Sequence, residues 1–306
     1  MTRNCAKVKV YLNKGRMPMI FVICNPAAGN GRGEKIGRQI EEALKRKGLP
    51  YQFQWTRRPD HATELAESAR ENGADTVLAI GGDGTAFEVA RGLFNSNTAL
   101  GIIPAGTGND FVKTIGVPQD PMAALEHTLS HPPQKTDIGL FNDRTFLNEI
   151  GAGFNVMVLD YALKAKRYCR GLLPYLYGVL QTLFRFRAIP LTYTTEDGQT
   201  VTKDVFVIAV ANGGVIGGGI VIAPDAKADD GLLDVVIVDN VKKWRLPARL
   251  IGLMQGKILS FPESHFARVR SISFSSPNMR LDADGEIISV DSVQARILPG
   301  ALLIHR

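Results

Sequence analysis

The chain has 306 residues, 45% of them hydrophobic, with 36 Lys and Arg against 30 Asp and Glu for a formal net charge of +6. That apolar content fills one large or two ordinary cores and excludes an intrinsically disordered chain. Three scattered cysteines, Cys5, Cys24 and Cys169, exclude a disulfide framework and a zinc cluster and point to a reducing cytoplasm; no run reaches the ~20 apolar residues of a spanning helix, and the N-terminus lacks the apolar core of a secretory signal.

Residues 1–18 form a basic extension carrying Lys7, Lys9, Lys14 and Arg16. It reads as a basic arm, as an edge strand over 8–12, or as sequence ahead of a start at Met17 or Met19. From residue 19 strands alternate with helices. A strand over 19–23 runs into Asn25, Pro26, Ala27, Ala28 and Gly29, and a helix over 33–47 follows with Ile36, Ile40, Ala43 and Leu44 as its apolar stripe. A strand over 51–55 and a helix over 61–72 come next. The strand 76–80 then enters Gly81, Gly82, Asp83, Gly84 and Thr85, and a helix leaves over 85–95 with Phe87, Ala90, Leu93 and Phe94 on one face. A strand over 100–103 leads into Pro104, Gly106, Thr107, Gly108, Asn109 and Asp110, and a helix over 121–129 closes the series. This alternation predicts a doubly wound parallel sheet, in which the loops gather at the carboxyl edge of the strands, where ligands bind.

The texture changes near residue 138. Strands are predicted over 191–195, 201–211, 219–223, 232–238, 271–275, 280–282, 287–290 and 292–298, with helices near 155–187 and 244–255 and a hairpin turn at Asp197-Gly198. The second half therefore reads as a mainly antiparallel β-sandwich. Between 161 and 189 there are six cations, Lys164, Lys166, Arg167, Arg170, Arg185 and Arg187, and no acid, around an apolar and aromatic middle. Such a segment docks on anionic lipid headgroups, or packs its apolar side on the second domain with its charges solvated. No helix-turn-helix, zinc or RNA-recognition signature accompanies the charge, which weighs against nucleic acid as a partner.

Three strand-to-glycine-loop transitions within 110 residues point to phosphate. Glycines let the backbone approach an anion, and the unpaired N–H groups of the following helix add donors. Asp83 then either caps its helix or holds a Mg²⁺ that offsets the phosphates. Asn109 and Asp110 likewise read as a helix cap or as a functional pair. The five histidines are dispersed, without ligand spacing, and none reads as catalytic.

The ordered strings NPAAG, GGDGT and GTGND resemble the diacylglycerol kinase catalytic family, which includes sphingosine and ceramide kinases and soluble bacterial lipid kinases. The resemblance continues through Asp137-Ile138-Gly139, Phe146-Leu147-Asn148 with Gly151 and Gly153-Phe154, Ala211-Asn212-Gly213, Asp230-Gly231-Leu232-Leu233 and Asp284-Gly285-Glu286. It runs from about Met19 to the end of the chain. It implies a nucleotide-binding α/β domain of the NAD kinase and phosphofructokinase type over 19–138, with a final strand at about 292–306 returning to it, and a β-rich acceptor domain over 139–291. It implies ATP contacts from Asn25, Pro26, Ala27, Ala28, Gly29, Thr56, Gly82, Asp83, Gly84, Thr85, Ala86, Phe87, Glu88 and Thr107. It further implies a carboxylate network of Asp83, Asp110 and Asp137 around a catalytic Mg²⁺, and Asp284 with Glu286 as the pair handling the acceptor proton. A structural Mg²⁺ on the Asp230 carboxylate and the Lys227 and Leu232 carbonyls is implied as well, although Asp229-Asp230-Gly231 also reads as a turn. The expected activity is transfer of the γ-phosphoryl of ATP to a membrane lipid hydroxyl, that of diacylglycerol giving phosphatidate. Phosphatidylglycerol or a sphingoid base as acceptor, and a nucleotide-binding regulator without turnover, stand as alternatives. The expected setting is cytoplasmic, transiently at the inner membrane surface, and a homodimer is compatible with the resemblance.

Overall fold

The computed structural model describes residues 17–165, 167–168, 173–195 and 198–306. Most of the basic extension, along with Cys5, Lys166, Cys169, Arg170 and Asp197, lies outside the described residues. The chain divides into two compact units. One extends to Thr136 and takes up Ala301–Arg306 again, and the other is Asp137–Gly300.

The first unit is built from β1 (Ile20–Cys24), α1 (Ala28–Lys47), β2 (Tyr51–Trp55), α2 (His61–Glu71), β3 (Thr76–Gly81), α3 (Asp83–Leu93), β4 (Ala99–Pro104), α4 (Asp110–Thr114) and α5 (Pro121–Ser130). Its strands lie in the order β4-β3-β1-β2, all parallel. β1, β3 and β4 are buried at every residue, which is why they read as unbroken apolar runs, whereas the edge strand β2 alternates. The end of the last strand of the chain lies parallel to β4, with Leu303 opposite Ala99 and Ile304 opposite Leu100. His305 fixes it through Thr76 Oγ1 at 3.1 Å and the His131 carbonyl at 2.8 Å.

The second unit contains β5 (Pro133–Phe141, its first four residues in the first unit), β6 (Arg144–Phe146), β7 (Glu149–Gly153), α6 (Phe154–Ala165), α7 (Leu173–Arg185), β8 (Ile189–Thr194), β9 (Thr200–Ala211), β10 (Val215–Ile216), β11 (Ile220–Val221), β12 (Leu233–Asp239), α8 (Leu246–Met254), β13 (Ser264–Val269), β14 (Ser271–Ala283) and β15 (Glu286–His305). The antiparallel order is β13-β12-β9-β7-β14-β15, with β8 joining β9 to β14. Alternation along β9 and β12 feeds two cores. Ile208, Val210, Val235 and Ile237 enter one with Phe274 and Leu281, while Val207, Ala209, Val236 and Val238 enter another that helices α6, α7 and α8 cover.

Several elements differ from the pattern read in the sequence. Helix α1 is assigned from Ala28, but Gly29, Asn30 and Gly31 are left-handed, so the regular helix begins just beyond them. The helical stretch 155–187 is two helices. The strand expected over 219–223 shrinks to two residues because Gly217, Gly218 and Gly219 all take positive φ. Conversely, 271–275 and 280–282 join into one strand, interrupted by a register shift around Pro277 and a left-handed Asn278. The stretches 287–290 and 292–298 likewise belong to the single strand β15.

Candidate active site

In the first unit the three glycine loops leave the carboxyl ends of β1, β3 and β4 and lock onto one another. Asn25 Nδ2 donates to Thr85 Oγ1 at 3.1 Å, and Arg32 donates to the Gly106 carbonyl at 2.9 Å. Gly29, at φ +58, lies so close to the third loop that a Cβ there would be 2.1 Å from the Ala105 carbonyl oxygen. A Cβ on Gly106 would lie 2.5 Å from Gly82 Cα. Backbone therefore lines this edge, and bulk at these glycines would separate the loops.

Asp83 opens α3 without capping it. Its Oδ1 accepts from the N–H groups of Asp110 at 2.7 Å and Phe111 at 3.1 Å, so it caps the first turn of α4 instead. Asn109, the residue at that helix's N-cap, turns its Oδ1 to Gly106 N at 3.0 Å. The second oxygens of both acids converge: a Cβ on Gly108 would stand 3.1 Å from Asp83 Oδ2 and 3.3 Å from Asp110 Oδ2. Asp110 is buried and pairs with Lys113 at 2.8 Å. Burial, then the charge of Asp110, raises the Asp83 pKa against the pull of the Phe111 and Asp110 N–H groups.

The other residues expected at the nucleotide vary in how they are used. Thr56, half-buried at the end of β2, donates its N–H to the Cys24 carbonyl at 2.9 Å. Thr107 is exposed on the third loop. Phe87 lies under the Arg91 guanidinium, and Glu88 caps α2 by accepting from Ala62 N at 3.1 Å. The Cys24 thiol, wholly enclosed beneath the first loop, is pushed up to about 12 by burial and then by Glu34.

In the second unit Asp137 and Asp284 are bound by backbone. Asp137 Oδ2 accepts from Gly231 N and Oδ1 from Gly300 N, both at 2.7 Å, while its own N–H donates to the Ala228 carbonyl. It thus holds the loop containing Lys227, Asp230 and Leu232. There the exposed Asp230 accepts from Leu232 N at 3.0 Å, an Asx turn. Asp284, left-handed at φ 48 in the β14–β15 turn, accepts from the N–H groups of Leu147 at 2.6 Å and of Asn148 and Glu149 at 2.9 Å. Glu286 is exposed one residue beyond Gly285.

Beside this turn lies an acid pair that the motif strings pass over. Glu149 and Asp282 are both buried, and their carboxyls share a hydrogen bond. Burial, followed by the charges of Asp282 and Asp284, raises Glu149 well above the ordinary range, and burial pushes Asp282 up to about 7 against the Gly285 N–H. Glu149 Oε2 and both side-chain polar atoms of Asn155 are buried without a partner, and a Cβ on Gly151 would touch Oε2 at 3.1 Å and Asn155 Nδ2 at 2.5 Å. The available sequence signal was an acid between the apolar pair Phe146-Leu147 and Ile150, where a buried carboxyl is tolerated only if partnered or protonated.

Comparison with known proteins identifies both domains. A diacylglycerol kinase catalytic domain matches residues 19–141, and the YegS C-terminal NAD kinase beta sandwich-like domain matches 148–306. The chain belongs to the diacylglycerol kinase catalytic family. A Chromohalobacter salexigens member named "Probable lipid kinase YegS-like" is 33% identical over 78% of this chain and 78% of its own. A Mycobacterium tuberculosis member named diacylglycerol kinase is 26% identical over 96% of this chain and 97% of its own. The crystal structure of a candidate diacylglycerol kinase from Bacillus anthracis str. Sterne matches 94% of this chain and 97% of its own, with a TM-score of 0.78 and 26% identity. Membership makes the chain a lipid kinase and implies use of ATP.

Among the described residues no group of three or more His, Cys, Asp or Glu could hold a metal ion. A Mg²⁺ carried on nucleotide phosphates needs only one or two protein carboxylates, with phosphate and water completing its shell. The convergent oxygens of Asp83 and Asp110 fit that requirement, and a cation there would offset the repulsion that raises the Asp83 pKa.

Proposed function

We propose that the chain transfers the γ-phosphoryl of ATP to the hydroxyl of diacylglycerol, giving phosphatidate. The observation that carries this reading is the cradle of the first unit, in which three glycine loops are bonded together around the convergent Asp83 and Asp110 oxygens. Relatives named diacylglycerol kinase along almost their whole length support diacylglycerol as the acceptor. Backbone of the segments 25–29, 82–85 and 106–107 would bind the phosphates. Asp83 and Asp110 would hold Mg²⁺, which when bound supplies charge for the γ-phosphoryl oxygens.

The acceptor proton falls to the β14–β15 turn. Asp284, fixed by three N–H groups, holds the turn. The exposed Glu286 carboxylate takes the hydroxyl proton as the hydroxyl oxygen bonds to the γ-phosphorus and the bond from that phosphorus to the bridging oxygen breaks, releasing ADP. Labelled ATP supplied with mixed micelles of diacylglycerol, phosphatidylglycerol or a sphingoid base tests the reading. Label in phosphatidate alone supports it. Label only in another lipid moves the acceptor, and bound nucleotide with no labelled lipid overturns it.

A further inference from the structure

Helix α7 is turned inside out. The residues it buries are Pro174, Gly178 and Thr182, whereas Leu173, Leu176, Tyr177, Leu180 and Phe184, at i, i+3, i+4, i+7 and i+11, form an exposed stripe in which Phe184 is 79% exposed. The close fit to α6 explains the small inner face. A Cβ on Gly178 would lie 2.4 Å from the Val158 carbonyl, and Thr182 folds its hydroxyl onto the Gly178 carbonyl at 2.7 Å. An ordinary amphipathic helix would bury the leucines, whereas this one leaves its apolar face uncovered by the described residues.

A second segment repeats the pattern. Around α8, Trp244, Ile251 and Met254 are exposed, while Leu246, Leu250 and Leu253 pack into the core that also receives Phe186 and Leu183 from the α7 region. The two segments therefore cover the same face of β9 and β12. Ten of the twelve exposed large apolar residues among the described residues fall in 161–189 or 240–257. These two stretches also hold eleven Lys and Arg and no Asp or Glu, so the rest of the chain is net acidic. Arg245 and Arg249 lean on Glu263, whereas Arg167, Arg187, Lys242 and Lys243 are exposed.

We propose that this face, the outer sides of α7 and α8 with their flanking cations, docks on the surface of an anionic lipid bilayer. Apolar side chains flanked by eleven cations, with Asp160 pairing Lys164 and Glu263 pairing Arg245 and Arg249, keep a positive excess. That excess matches a negative headgroup layer over an acyl boundary, with aromatic residues at the interface. The match favours a bilayer over a second copy of the chain, since two such faces would set cation against cation. The surface rests on the lipid-kinase reading only for its purpose; its chemistry is independent of the acceptor.

Co-sedimentation with vesicles, without nucleotide or diacylglycerol, tests it. Wild type binds phosphatidylcholine vesicles containing phosphatidylglycerol, binds pure phosphatidylcholine far less, and is released as salt rises. Leu180→Gln with Phe184→Ser, and separately Trp244→Ser with Ile251→Gln, each lower the bound fraction roughly tenfold, with unchanged circular dichroism. Phosphorylation of a short-chain, water-dispersed diacylglycerol stays at the wild-type rate in both variants. Undiminished binding in both, or equal wild-type binding to both vesicle types, overturns the proposal. So does a wild-type dimer that the variants convert to monomer while vesicle binding persists. Vesicle binding without phosphorylation of any lipid leaves the docking surface standing and removes the acceptor assignment instead.

Discussion

In the first unit Asp83 spends one carboxylate oxygen on the N–H groups of Asp110 and Phe111 and directs the other toward Gly108, where an oxygen of Asp110 also arrives. In the second unit Asp284 commits both oxygens to three N–H groups of residues 147–149, and Asp137 commits both to Gly231 and Gly300. The difference is one of electrostatic account. A carboxylate with both oxygens engaged by backbone N–H groups holds loops together, while one that keeps an oxygen beside a second acid invites a cation.

The contrast breaks first at Asp83. Asp83→Asn keeps the cap on α4 and removes the negative charge, so kcat falls by roughly 10³ while urea unfolding without Mg²⁺ shows no loss of stability. Added Mg²⁺ with a non-hydrolysable nucleotide raises the wild-type Tm more than that of the variant; equal shifts would remove Asp83 from the metal. Asp284→Ala acts the other way. It strands three N–H groups and lowers unfolding stability by about 3 kcal/mol, and a variant as stable as wild type would deny Asp284 its holding role.

A smaller effect comes from the glycine cradle. Gly29→Ala forces a left-handed alanine against the Ala105 carbonyl, costing about 2 kcal/mol and weakening nucleotide binding, which calorimetry reads. More gradual, because it is spread over several pH units, is an effect of the Glu149–Asp282 pair. Their folded pKa values lie above the unfolded ones, so the native state retains protons the unfolded chain has lost. Stability is fullest below about pH 4 and declines by about 1 kcal/mol per pH unit as pH rises toward the folded values, for Asp282 through about 7. Glu149→Gln, which mimics the protonated acid, flattens that decline in unfolding curves between pH 5 and 8; an unchanged slope would show that the pair is ionised in the native state.

The first unit was readable because its physics is local. Buried parallel strands are unbroken apolar runs, and each glycine loop sits directly after its strand, so Asn25, Gly82 and Asp110 could be assigned together. The second unit was readable as a strand-rich sandwich, but not in its detail. β7 contains Gly151 and Gly153 and looks like loop, and β14 survives Pro277 only because its neighbours hold it through the register shift. Nor could pairing reveal that Asp83 caps α4 and not its own helix, a contact across 27 residues. The Glu149–Asp282 pair depends on β7 lying beside β14, with Gly151 opposite Asp282, a register no sequence spacing encodes.

The shared last strand has a consequence for how the chain is made. Residues 303–304 supply the neighbour of β4, yet they follow the entire second unit in synthesis. During translation β4 therefore waits with an unpaired edge while about two hundred residues are added at ~5–20 per second, an interval of open backbone in which a chaperone or another nascent chain can compete for the place that Leu303 and Ile304 finally take.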